Sequence, residues 1–266
     1  MKRKLTTRQI KDKTRTSMKL ILIIAIGMSY LFLGAEISKT TGDGNVTSEN
    51  QSTESITEEY EDGDIDGIAE YGGFPYTVIN YNLPNFTDSE KNNTETYYEY
   101  SKLDKNGRCG EVLACIGRNT LKTQERGEIG RILPSGWHSI KADDVDGGWL
   151  YNRSHLIASC LGGPCGCDGE SEDELKRNLI TGTRYMNVEG MEHFELMIRD
   201  YIYETDNHVL YRVTPVYKGN NLVASGVQME AYSIEDCGTG ITFNVFCYNV
   251  QPGYEIDYAT GNARKE

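Results

Sequence analysis

Segments in which apolar and polar side chains alternate dominate both ends of residues 72–266. YTVINY (76–81), TYYEYSKLD (96–104) and EVLACIG (111–117) have the period of two that marks a half-buried strand, and the last two flank the turn residues KNG at 105–107. This predicts a hairpin. Further on, HVLYRVTPVYKG (208–219), LVASGVQMEAYSI (222–234) and ITFNVFCYNV (241–250) are rich in Val, Tyr, Phe and Thr and are separated by GNN and GTG. Residues of those types suit a pleated, half-buried surface, so an antiparallel meander is expected. Between the two ends the period changes. Met191, Phe194, Ile198, Tyr201 and Ile202 recur at spacings of three and four, which predicts a helix from about Val188 to Glu204 with Asn187 as its N-cap and Glu189 and Glu192 in its first turns. A sheet with such a helix packed on it is an α+β domain, and no internal repeat or second linker divides it.

The front of the chain has a different composition. Residues 1–19 carry eight lysines and arginines against Asp12 alone, and the uncharged run LILIIAIGMSYLFLGA (20–35) follows. A basic leader before such a run reads as an export signal, either a cleaved signal peptide or a retained membrane anchor, with the rest of the chain delivered outside the cytoplasm. Residues 36–71 hold eleven acids against Lys39 alone. They have little apolar area to bury and are expected to form a disordered, self-repelling tether. Residues 72–266 keep 18 basic and 28 acidic residues, a balance that counts against any function requiring a broadly basic face. All seven cysteines lie on the exported side, where disulfides persist. Cys165 and Cys167 are too close in sequence to bridge without strain. Cys237 and Cys247 fall out of register if they flank a hairpin turning at Gly238 to Gly240.

Candidate chemistry lies in the middle. YNRSHLIASCLGG (151–163) puts an arginine two residues before His155. RNLITGTRYMN (177–187) holds Asn178 and, nine residues on, Asn187; Asn187, Met191, Glu195 and Arg199 then follow one another at a helical spacing of four. Together, NRSH, NLITGTRYMN and a helix bearing Glu and Arg resemble the DNA/RNA non-specific endonucleases of the ββα-metal superfamily, in particular their bacterial DNA-entry nuclease branch. GWHSIK (136–141) and the segments from YRVTPVYKG to YATG extend that resemblance over roughly residues 97–261.

The resemblance implies a ββα-metal fold and a Mg²⁺ cofactor, for which Mn²⁺ can substitute. His155 would be the general base, Arg153 the motif arginine and Asn187 the direct ligand of the ion. Glu195 would reach the ion through water, Asn178 would support the site near the scissile phosphate, and Arg199 would sit beside the developing charge. Products would carry 5′-phosphate and 3′-hydroxyl ends. Asn152 stands where the family commonly has Asp, and Ser154 where it has Gly. The chemistry suits these residue types: a neutral imidazole takes a proton from water, and Mg²⁺ keeps several waters, so one protein ligand suffices. For the phosphates of a DNA or RNA strand, Arg118, Lys122, Arg126 and Arg131 in GRNTLKTQERGEIGR (117–131) are the densest positive charge, joined by Lys176, Arg177 and Arg184. Contacts to backbone rather than base edges imply little sequence preference and weakening by salt. No obligate protein partner is inferred, and the membrane is a partner only if the apolar run is retained. His138, His193 and His208 read as surface or packing residues.

Two other readings compete with this one. His155 with Cys160, Cys165 and Cys167 contains the ligand types of a zinc-stabilised module, although the spacing H-x4-C-x4-C-x-C matches no common zinc knuckle. Asn152 and Ser154 would also fit a surface protein that binds nucleic acid but cleaves it weakly.

Overall fold

The alternating segments pair as their pattern requires. The computed structural model describes residues 68–122 and 126–266. The basic leader, the apolar run and the expected tether up to residue 67 lie outside the described residues. In chain order the strands are β1 (Tyr76–Val78), β2 (Tyr97–Tyr100), β3 (Val112–Ile116), β4 (Tyr151–His155), β5 (Leu179–Thr183), β6 (Val209–Val216), β7 (Gly226–Ser233), β8 (Thr242–Tyr248), β9 (Tyr254–Ile256) and β10 (Ala263–Lys265). The α-helices are α1 (Asp88–Lys91), α2 (Glu172–Arg177) and α3 (Glu192–Thr205). Six strands form one antiparallel sheet in the order β1-β8-β7-β6-β3-β2. The expected hairpin pairs Tyr97 with Cys115, and the expected meander pairs Val209 with Ser233 and Gly226 with Tyr248. Cys247 lies opposite Val227 and Cys237 falls beyond the end of β7, so those two sulfurs are kept apart as register predicts.

Alternation along these strands builds the core. Val112, Ala114 and Ile116 of β3, Val209, Tyr211 and Val213 of β6, Val227, Met229 and Ala231 of β7, and Phe243, Val245 and Cys247 of β8 are buried on one face. Phe194, Ile198 and Ile202, spaced by four along α3, are buried against them, with the Phe194 ring 4.8 Å from that of Phe243. Full burial of side chains this size contributes about 1.5–3 kcal/mol each. The opposite face is also covered, and mixes an apolar cluster of Phe86, Cys115 and Leu210 with buried polar groups. Arg212 of β6 lies 2.8 Å from Glu90 of α1 and donates to the Asn85 carbonyl, while the buried Glu230 carboxylate accepts from the Asn85 N–H. Ile68 packs against Val216, Phe246 and Tyr248, and the Tyr248 hydroxyl donates to the Ala69 carbonyl. The last residues of the expected tether therefore dock on the sheet. Among the described residues no helix is long and apolar enough to cross a membrane.

Two features depart from the sequence reading. β4 and β5 form a separate antiparallel ribbon, with His155 opposite Leu179 and Asn152 opposite Gly182. The helix also starts differently. A π turn, Met186–Met191, precedes α3, and Asn187 lies inside this turn instead of capping it. The Met186 N–H is satisfied by the Thr183 hydroxyl at 3.0 Å, and the Asn187 carbonyl accepts from Glu192 five residues on. Capping is thus done by Thr183 at the end of β5, and the Asn187 carboxamide is left over.

Candidate active site

The ribbon and the π turn wall a cleft of about 420 Å³. Strand alternation puts Tyr151, Arg153 and His155 of β4 along it, the helix contributes Asn187 and Glu195, and Arg126 enters from the loop before β4. In a plain α-helix eight residues make about 2.2 turns, which would swing Glu195 roughly 80° away from Asn187. The wider π turn takes up the excess, and both side chains line the same cleft.

His155 is 7% exposed, and its Nε2 is buried without a hydrogen-bond partner among the described residues. Nδ1 is the ring nitrogen left open to the cleft. Burial, helped by the nearby Arg126 charge, pushes the imidazole down to about 4; Glu170 opposes this and Lys122 adds to it. The ring is neutral at physiological pH. Glu195 behaves oppositely: burial lifts its carboxyl to about 8, with Arg126 pulling down and Glu192 pushing up. Neither Asn187 nor Glu195 spends its side chain on a hydrogen bond among the described residues. A carboxamide oxygen and a carboxylate, both unspent and facing one cleft, form the oxygen donor set a small hard cation takes, and such an ion would hold Glu195 ionised.

Other expected residues have different places. Asn178 is fully buried and does not line the cleft: its Oδ1 accepts from the Ile157 N–H at 2.8 Å, and its Nδ2 donates to the carbonyls of Ile157 and Pro164. Its carboxamide shapes the loop that follows β4 and so holds His155 in position. Asn178→Ala would orphan a buried N–H and two carbonyls. It is expected to lower stability by about 2–4 kcal/mol, a drop of roughly 5–15 °C in Tm, read by thermal melting. An unchanged Tm would refute this role.

The arginines divide in the same way. Arg153 lines the cleft, but its Nε and Nη2 donate to the carbonyls of Ile132 and Gly130 and its guanidinium lies 4.0 Å from the Trp137 ring. It anchors the preceding loop. Arg199 lies outside the cleft, with its guanidinium on Asp200 at 2.6 Å. The fourth member of the helical stripe does not line the site. Arg118 is committed to the Tyr203 carbonyl and ring, Lys122 to Glu170 and the Gly163 carbonyl, and Arg131 to Glu172. Of the basic residues expected on the substrate, Arg126 and Arg184 line the cleft.

Asn152 lines the cleft as well. Ser154 is accommodated by its neighbour: a Cβ at Gly182 would stand 2.2 Å from the Ser154 hydroxyl, so the serine occupies space that glycine leaves open. Trp137, Trp149 and Tyr151 also wall the cleft and were not foreseen; WHS before the motif was the available signal. The zinc module is not assembled as expected. Cys165 and Cys167, their sulfurs 2.9 Å apart, group with Glu170, and neither His155 nor Cys160 belongs to that group. The remaining histidines have structural tasks: His138 meets the Thr260 carbonyl, His193 packs on Tyr76 and Phe194, and His208 pairs with Glu235.

Residues 88–235 match the family model of the DNA/RNA non-specific endonucleases. This chain belongs to that family. A deoxyribonuclease from Streptococcus dysgalactiae subsp. equisimilis is 31% identical over 122 residues, which cover 44% of this chain and 34% of that relative. The chain thus spans about a third of the length of that curated relative. Among solved structures, NucA from Streptococcus agalactiae with a magnesium ion bound superposes with a TM-score of 0.62 at 27% identity, over 73% of this chain and 91% of that one. The Sda1 nuclease with a bound zinc ion gives a TM-score of 0.59 at 28% identity, over 72% and 96%. The family likeness agrees with the ββα-metal fold: an antiparallel ribbon and a helix carried on a larger sheet.

Proposed function

We propose that the protein is a Mg²⁺-dependent, sequence-non-specific endonuclease that hydrolyses DNA, RNA or both outside the cytoplasm and leaves 5′-phosphate and 3′-hydroxyl ends. The observation that carries this reading is a neutral, buried His155 in the same cleft as the unspent Asn187 and Glu195. Asn187 would hold the ion directly and Glu195 through water, and the ion, when bound, supplies charge neutralisation of the phosphate and of the leaving 3′ oxygen. His155 accepts the proton of the attacking water at Nδ1. Its depressed basicity keeps the ring in the accepting form and speeds release of the proton afterwards. Arg126, whose charge is felt by both His155 and Glu195, binds a phosphate oxygen. Asn178 and Arg153 position the strand and loops that aim the imidazole.

The first test is digestion of circular DNA, single-stranded DNA and RNA with Mg²⁺ or Mn²⁺, with EDTA as control. Cleavage of at least one substrate that EDTA abolishes is expected; metal-independent cleavage or none would overturn the proposal. The pH profile supplies a second check. A base must be unprotonated, so with the pKa of His155 depressed toward 4 the acidic limb of kcat/KM should fall well below 6.5, the ordinary imidazole value. A limb at or above 6.5 would contradict a buried base. Arg126→Ala should raise KM about tenfold and reduce the log–log salt slope of binding by about 1, the signature of one lost phosphate contact. An unaltered slope would remove Arg126 from the substrate path.

A further inference from the structure

Trp149 stands 44% exposed on the wall of the cleft. An aromatic ring exposed on the wall of a cleft is a platform on which a flat nucleobase can stack. Trp137, on the same wall, has its ring face taken by Arg153. The Lys141 ammonium lies over the Trp149 ring, 5.8 Å from its centroid, and the indole stays half-exposed. The chain reaches Trp149 through Gly147 and Gly148, at φ +84° and +73°, conformations that glycine adopts readily and side-chain-bearing residues avoid. The Gly148 N–H closes this turn on the Val145 carbonyl, so the indole is presented by a fixed loop.

Arg184 is its neighbour. The Arg184 N–H donates to the carbonyl of Leu150, the residue after Trp149, and its Nε lies 4.0 Å from where a Cβ on Gly147 would stand. One arm of the guanidinium, Nη2, is held by Asp146 at 2.8 Å. The Nε is buried without a partner, whereas the Nη1 arm makes no hydrogen bond among the described residues and the side chain is 33% exposed on the cleft. A half-exposed indole and a guanidinium with its Nη1 arm uncommitted, both lining one cleft, match the two halves of a nucleotide, its base and its phosphate.

We propose that Trp149 and Arg184 form a nucleotide subsite at this cleft, with an unpaired nucleobase stacked on the indole and its phosphate on the guanidinium. The proposal rests on the nuclease reading and adds a substrate class: strands with unpaired bases are favoured. A base in a duplex must first leave its stack, whereas a single strand offers its bases freely. Stacking accepts any base, so the subsite gives affinity without sequence preference.

Oligothymidylate titrated into the protein in EDTA, with tryptophan emission as readout, tests the subsite without any cleavage. The wild type is expected to show quenching that Trp149→Phe lacks, since Trp137 remains as the other emitter. With Mg²⁺, Trp149→Ala should raise KM for a single-stranded oligonucleotide about tenfold, from the loss of one stacked base, with a smaller rise on duplex DNA and recovery in Trp149→Phe. An abasic nucleotide scanned through the oligonucleotide should weaken binding to the wild type at one position and have no such effect on Trp149→Ala. Equal quenching in Trp149→Phe, or wild-type KM and abasic sensitivity in Trp149→Ala, would overturn the subsite while wild-type cleavage upholds the nuclease. Absence of cleavage by the wild type would instead overturn the parent reading, and the EDTA titration would still decide the subsite.

Discussion

His155→Ala is expected to lower kcat on plasmid DNA by about 10²- to 10⁴-fold, the contribution of a well-placed general base, while the protein still folds and binds substrate. The structure separates these effects. The ring makes no hydrogen bond among the described residues, and its Nε2 is already orphaned, so truncation breaks no polar network and costs only packing. What is lost is the unprotonated nitrogen that burial keeps available at neutral pH. Near-normal nicking by this variant, with an unchanged acidic limb in its pH profile, would place the base elsewhere. The buried Glu195 carboxyl in the same cleft, lifted to about 8 by burial, is then the first candidate.

Asn187→Ala should act on a different quantity. Removing the direct ligand is expected to lower the rate by about 10²- to 10³-fold, the usual loss when one preorganised electrostatic contact to the transition state is deleted, and to move the Mg²⁺ dependence to higher concentration. Because Thr183 caps the helix, the substitution leaves the first N–H of the π turn satisfied, and Tm should change little. Were Asn187 an N-cap, its loss would cost about 1 kcal/mol of stability. A lowered Tm with an unaltered Mg²⁺ midpoint would therefore mean that the side chain is structural. The pair of variants thus separates proton transfer from ion binding.

The large sheet was legible because its strands are rich in Val, Tyr, Phe and Thr and are separated by the turn residues GNN and GTG, even though β8 is buried at all but its first position. The ribbon was not. LITGT in β5 is buried at every position, which erases the alternation that would have marked it, and YNRSH in β4 mixes buried and half-buried residues without a period. The spacing of Phe194, Ile198 and Ile202 marks the helix, but it is silent on the π turn that precedes it. That turn makes Asn187 and Glu195 neighbours and leaves Arg199 on Asp200. The family resemblance named His155, Asn187 and Glu195, and all three line one cleft. It placed Asn178 and Arg153 beside the chemistry, whereas their hydrogen bonds run to the Ile157, Pro164, Ile132 and Gly130 backbone, contacts between segments about 20 residues apart that no local pattern encodes. The packing of Ser154 over Gly182 is of the same kind.

The measurement that bears most directly on the account is a crystal structure with Mn²⁺, located by its anomalous scattering, and a short oligonucleotide with one uncleavable linkage. The ion should lie on the Asn187 carboxamide oxygen, with a phosphate between it and the His155 ring. An ion held by Cys165, Cys167 and Glu170 with Asn187 bare, or a phosphate out of reach of His155, would contradict it.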